Sequence, residues 1–270
     1  MKIVIPDSDD PFEQAVDCFK AIQSLDQNDK IDLSKVLWIS PFVALMLSHK
    51  IEELRLKGHS LDIIKPESVK VQNYLQKIGF PLGSDYIKGN TAFPIKHFNS
   101  NPEKAIVDLY KYIESTFPVE LRGNTINYIL SELVDNVDQH SKYSTATVLA
   151  QYYPLKKYID IGVVDNGYSI PGVFTDNGID FVEDHNAIKL ALEGVSTKNE
   201  EGRGKGLQST SKLTTKELKG TLYAFSRNGA MVLTENVREA YKLQDTQLKG
   251  TLIYLRFAVP KTSVNLTPYY

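Results

Sequence analysis

The apolar positions of this chain change their period along its length. In the first third, short apolar runs alternate with helical repeats. MKIVIP reads as a strand, and PFEQAVDCFKAIQSL places Phe12, Ala15, Val16, Phe19 and Ile22 at helical spacing. KIDLSKVLWIS is strand-like, FVALMLSHKIEELRLKG is helical and stops at Gly58, SLDIIKP is a strand, and SVKVQNYLQKIGF is a helix. The pattern predicts a small α/β unit over residues 1–85.

The period then lapses. PLGSDYIKGNTAFPIKHFNSNP mixes Pro, Gly, Asn and Ser without a repeat and predicts a linker at 86–100. Two helices follow, EKAIVDLYKYIESTF and VELRGNTINYILSELVDNVDQHS, and then strands in STATVLAQYY and YIDIGVVD. In GTLYAFSRNGAMVLTE the pair Asn228-Gly229 sits between apolar runs, a hairpin signal. TENVREAYKLQDTQLKG reads as a long connection to a last strand, GTLIYLRFAV. Helices first and strands later predict an α+β domain over 101–262, with helices on one face of a mixed sheet, and a tail at 263–270.

Composition narrows the classes. The chain has 270 residues, 42% apolar and 24% charged, as expected for a globular protein. A net charge of -2 gives no basic footprint for nucleic acid. Cys18 is the only cysteine, so an intrachain disulfide and a cysteine-built zinc site are excluded, and Cys18 itself reads as a small buried hydrophobe. No run approaches the about 20 apolar residues of a membrane helix. The N-terminal segment meets acids and prolines too early for a secretion signal. The expectation is a cytoplasmic protein with no membrane or nucleic-acid partner.

Three stretches carry candidate chemistry. In NYILSELVDNVDQHS, Ile126, Leu130, Leu133 and Val137 make an apolar stripe, and Glu132, Asn136 and His140 stack along its flank at intervals of four. Such a flank is either a solvated face or the wall of a site in which Asn136 gives Mg²⁺ one oxygen ligand and Glu132 polarises a water or hydroxyl. In DNGYSIPG, a strand ends on Asp165, Asn166 and Gly167. This is either a turn or the carboxylate of a purine pocket. In GVSTKNEEGRGKGLQSTSKL, Gly202, Gly204 and Gly206 alternate before a helical stretch from Leu207, with Lys198, Arg203 and Lys205 among them. That is a flexible loop or a phosphate cradle. It is neither a P-loop nor a Rossmann fingerprint.

Taken in order, helix with Glu-x-x-x-Asn, strand-Asp-x-Gly, G-x-G-x-G-Leu and a late Gly250-Thr251 strand, these motifs resemble the histidine-kinase-like (GHKL, Bergerat-fold) ATPase superfamily over residues 101–261. The resemblance implies an ATP-binding sandwich with a mobile lid. It implies that Asn136 binds Mg²⁺, that Glu132 is the general base, and that His140 lies near the phosphates. Asp165 then holds the adenine amine, Gly167 packs near the ring, and Thr251 helps hold Asp165. Gly202, Gly204 and Gly206 cover the phosphates, with Leu207 beyond them. Ser169 stands where the family often has a second glycine. Residues 1–81 resemble the STAS domain of anti-sigma-factor antagonists. Pro41 and Phe42 occupy the positions aligned with its phosphoacceptor turn, and Ser40 is the nearby hydroxyl.

The resemblance implies a regulatory protein in bacterial signalling, a Mg²⁺-dependent serine/threonine kinase of the anti-sigma type. Its partner would be a sigma-factor regulator or another signalling protein, and homodimerisation fits the class. The rival readings are an ATP-driven switch with slow or no hydrolysis and an orphan histidine-kinase catalytic domain. Against the last, His49 in HKIEEL lacks the acid and proline of a phosphoacceptor box and reads as a helix-surface histidine.

Overall fold

A computed structural model describes the chain except for residues 1, 5–9, 24, 27–28, 100–101, 118–123, 141, 198–205, 245, 261–263 and 270. The first third forms β1 (Lys2–Val4), α1 (Pro11–Gln23), β2 (Lys30–Asp32), α2 (Pro41–Leu56), β3 (Asp62–Ile64) and α3 (Val69–Lys77). The three strands pair in that order, all parallel. Local chemistry sets the helix ends. Asp10 Oδ1 accepts from the N–H of Phe12 at 2.7 Å and of Glu13 at 3.0 Å, which caps α1. Ser40 Oγ accepts from Val43 N–H at 3.2 Å, and Pro41 fills the first turn of α2. Gly58, with φ of 81°, ends α2 as its sequence predicts. The N–H groups of Gly58 and His59 return to the carbonyls of Arg55 and Leu54, both at 2.9 Å.

The remainder forms β4 (Ala92–Phe98), α4 (Glu103–Thr116), α5 (Asn124–His140), β5 (Ala146–Tyr153), β6 (Tyr158–Asp165), α6 (Ile170–Asp176) and α7 (Asp184–Leu192). Then come α8 (Gly206–Lys212) with a π-helical continuation at Leu213–Glu217, β7 (Thr221–Arg227), β8 (Gly229–Leu233), β9 (Arg238–Lys242), β10 (Leu248–Ala258) and a short turn of helix at Thr267–Tyr269. The seven strands lie in the order β4-β5-β6-β10-β7-β8-β9. The fold is α+β, and each neighbouring pair in this sheet is antiparallel rather than mixed.

Both faces of the large sheet are covered, because its central strands are apolar at successive positions. Ile253, Leu255 and Phe257 of β10 join the cluster under α4, α5 and α7, where the stripe Ile126, Leu130, Leu133 and Val137 is buried. Leu252 and Tyr254 face the other way and join a cluster with Cys18 and Phe19 of α1 and Leu45 of α2. The Phe42 ring stacks on Tyr254 with centroids 4.3 Å apart. Twelve of the sixteen α2 residues are buried, so α2 is an inner layer between the small sheet and the large one. Full burial of side chains such as Phe42, Leu45 and Leu47 stabilises the fold by roughly 1.5–3 kcal/mol each.

Six expectations change. Residues 92–98 of the expected linker are an edge strand, β4, which tolerates Pro94 because of its edge position and a register shift between Phe93 and Lys96. The expected break at 86–100 therefore does not interrupt the packing, and helices cover two faces rather than one. The long connection after β8 contains β9. The expected tail docks instead: Leu266 is buried, and Tyr128 OH donates to the Tyr269 carbonyl at 3.0 Å. His49 is buried at 3% exposure, because the face of α2 that carries it lies on β5, where its Nδ1 meets Thr147 Oγ1 at 2.9 Å. Cys18 is fully buried, as expected.

Candidate functional site

Strand alternation and one helix flank build a cleft. On β6, Val163 and Asp165 face α5. On β10, Thr251 and Ile253 face the same way. Together with Leu133, Asn136 and Val137 of α5 they line a cavity of about 120 Å³, closed on the far side by Ile170, Phe174 and Leu207. Cavities on the order of 150 Å³ admit a benzene-sized ring. The walls are apolar, and the polar groups are few: Asn136, Asp165 and Thr251, with Tyr168, Ser196 and Thr197 also on the lining.

Asp165 is held rigidly. It is 2% exposed; its Oδ1 accepts from Gly167 N–H at 2.8 Å and its Oδ2 from Thr251 N–H at 3.3 Å. Turn and pocket are thus one structure, in which the turn fixes the carboxylate and the carboxylate lines the cavity. Gly250 is required here, since a Cβ would overlap the carbonyl and Oδ1 of Asp165.

Two further residues complete the support. Ser226 is fully buried between β7, β10 and α6. It donates to the Gly250 carbonyl and accepts from Ile170 N–H, both at 3.0 Å, and its oxygen lies 3.0 Å from Thr251 Oγ1. Asn166 Oδ1 accepts from the N–H groups of Ser144 and Thr145, both at 3.0 Å, which ties the start of β5 to the end of β6. Asn166 was legible as part of the acid-amide-glycine triplet, whereas Ser226 gave no signal beyond being a polar residue inside an apolar strand. Ser169 has a local role of its own. It caps α6, accepting from Gly172 N–H at 3.1 Å, so the chain turns from the strand end directly into a helix.

Asn136 lines the cleft with its Nδ2 buried and without a hydrogen-bond partner among the described residues. A buried amide left so costs about 1–3 kcal/mol, a reason to expect a ligand there. Glu132, one turn earlier, is not on the lining. Its carboxylate packs against Gly206 at the start of α8, where a Cβ would collide with it. Burial, and then the charges of Asp138 and Asp165, raises the Tyr143 phenol above its ordinary range.

The structure therefore brings together Asn136, Asp165, Leu207 and Thr251, with Gly167 bonded to Asp165 and Gly206 adjoining Glu132. His140 closes α5, and its side chain lies outside the described residues, as do Lys198, Gly202, Arg203, Gly204 and Lys205. Among the described residues no three His, Cys, Asp or Glu side chains gather as a metal site, and no helix is long and apolar enough to cross a membrane. A Mg²⁺ ion here would rest on Asn136, water and ligand phosphates, an arrangement that Mg²⁺ commonly adopts. Ser40, the hydroxyl nearest the expected phosphoacceptor turn, is fully buried as the cap of α2. Comparison of the chain with protein-family models, with curated proteins and with solved structures finds no match.

Proposed function

We propose that the chain binds ATP with Mg²⁺ in this cleft and acts as a regulatory phosphotransferase on a protein partner, in the manner of an anti-sigma serine/threonine kinase. One observation carries the reading: Asn136, Asp165, Leu207 and Thr251, from four separate stretches of sequence, line a single apolar cavity. The chemistry of the lining suits a purine. A rigid buried carboxylate accepts from an exocyclic amine, while Val163, Ile170 and Ile253 supply flat apolar contact. Asn136 would hold the ion, which would neutralise phosphate charge. Glu132 would orient or deprotonate the attacking hydroxyl.

A second reading, an ATP-driven switch with little turnover, is favoured by the position of Glu132 against Gly206 instead of on the lining. Calorimetric titration with ATP and Mg²⁺ tests binding, and incubation with γ-labelled ATP tests transfer. Saturable binding with label on a protein supports the kinase. Binding without transfer or phosphate release supports the switch. Absence of binding removes both.

A further inference from the structure

A second cavity lies directly behind the first. Along β6 and β10, Val163, Asp165, Thr251 and Ile253 face the cleft, while the alternate residues Val164 and Leu252 face the opposite side. There they floor a cavity of about 130 Å³, between α1, α2 and the start of β10. Phe19, Ile22 and Met46 continue the apolar floor. The rim is basic: among the described residues, Lys50, Lys57 and Lys249 line it against one carboxylate, Glu53. None of the three lysines is in an ion pair among the described residues. Lys57 and Lys249 are exposed, so the cavity opens to solvent.

His49 also lines this cavity. It is 3% exposed, and its Nε2 is buried without a hydrogen-bond partner among the described residues. Its proton can be assigned from its neighbours. Ser48 donates its hydroxyl proton to the Pro81 carbonyl. His97 Nε2, 3.3 Å from Ser48 Oγ and 3.4 Å from the same carbonyl, is therefore a donor. His97 Nδ1 then accepts from the Thr147 hydroxyl at 2.8 Å, and Thr147 Oγ1 accepts from His49 Nδ1–H at 2.9 Å. In neutral His49 this leaves Nε2 as a buried acceptor. Burial keeps both imidazoles on the neutral side, lowering each below its ordinary range.

We propose that this cavity is a binding site for a small organic anion, a hydroxy-carboxylate with a body about the size of a benzene ring. Its carboxylate meets the lysine rim, its body lies on the apolar floor, and its hydroxyl donates to His49 Nε2. The cavity is close in volume to those that accept one such ring, and the unpaired lysines and imidazole account for both polar ends. The site is independent of what the cleft on the other side of the sheet binds.

The test is a titration of the full chain, by ligand-observed NMR, with 4-hydroxybenzoate and two probes that each lack one feature. These are 4-hydroxybenzyl alcohol, without the charge, and benzoate, without the hydroxyl. The expected result is binding of 4-hydroxybenzoate that is roughly tenfold weaker for either truncated probe, the loss of one charge-assisted or hydroxyl contact. Lys249→Glu and Lys57→Glu change exposed side chains and leave the fold intact. Each is expected to weaken 4-hydroxybenzoate by about tenfold. No binding of 4-hydroxybenzoate, or binding indifferent to both charge reversals, overturns the proposal.

Discussion

Asp165 and Thr251, 86 residues apart, are joined by a hydrogen bond from the Thr251 N–H to Asp165 Oδ2 at 3.3 Å. The bond spans adjacent strands, and it holds the carboxylate at the edge of the cleft. Asp165→Asn keeps one oxygen but sets an NH₂ group against either a backbone N–H or the ligand amine. The expected result is a ten- to hundredfold loss of ATP affinity, equivalent to about 1.5–3 kcal/mol for a hydrogen bond to a charged group. Calorimetry on Asp165→Asn and Asn136→Ala, at a temperature where both remain folded, measures it. Unchanged affinity in both variants would remove the cleft from consideration as a nucleotide site.

Glu132 gives a separate test. If it serves as the general base, Glu132→Gln retains ATP affinity and loses turnover by about 10²- to 10⁴-fold. Gly206→Ala reaches the same group without removing it, because the added methyl displaces the carboxylate packed there. The two variants are expected to share one phenotype in a phosphate-release or transfer assay. Wild-type turnover in both would leave Glu132 as a packing group at the start of α8.

Much of this cleft was readable from spacing. The interval between Glu132 and Asn136 put both on one flank of α5, and the acid at the end of YIDIGVVD was found where strand alternation turns it toward that helix. What spacing could not supply was the partner of a polar residue. Ser226, Asn166 and His49 acquire their roles only when β7, β5 and α2 arrive beside them. The layer order was missed for a related reason. Apolar residues at successive positions in LIYLRF mark a strand buried on both faces, yet the second cover, α1 and α2, comes from the far end of the chain. β4 escaped notice because Pro94 disguises an edge strand as a linker.

The covered second face contains an ion pair. Arg256 donates to Asp160 through Nε at 2.7 Å and an Nη at 2.8 Å, and the Tyr158 ring lies 4.9 Å from the guanidinium carbon. Asp160 is fully buried, and that burial raises its carboxyl above the ordinary range despite the arginine. Removing one partner leaves the other charge stranded. Arg256→Met is therefore expected to cost roughly 3–5 kcal/mol, and Asp160→Leu in the same chain to recover most of it. Urea denaturation of the single and double variants decides between this and a surface-like pair, for which the single change would cost under about 1 kcal/mol.

His49 links the fold to pH. Burial, followed by the charges of His97 and Lys50, holds its imidazole down to about 3. In the unfolded chain a histidine titrates near about 6.5. Below that value the unfolded state binds a proton that the folded state refuses, so stability is full above about pH 6.5 and falls as pH drops toward the folded value. From about pH 7 to about pH 5 the loss from this one group amounts to about 2 kcal/mol, since each pH unit below the unfolded value costs about 1.4 kcal/mol. His97, lowered by the same burial, acts in the same direction. His49→Gln keeps a donor for Thr147 and removes the titration. Its denaturation midpoint is expected to depend less on pH than that of the wild type, by the amount attributed to His49. Parallel pH profiles for the two proteins would mean that His49 takes up its proton in the fold as readily as in the unfolded chain, at Nε2, with Nδ1–H still donating to Thr147.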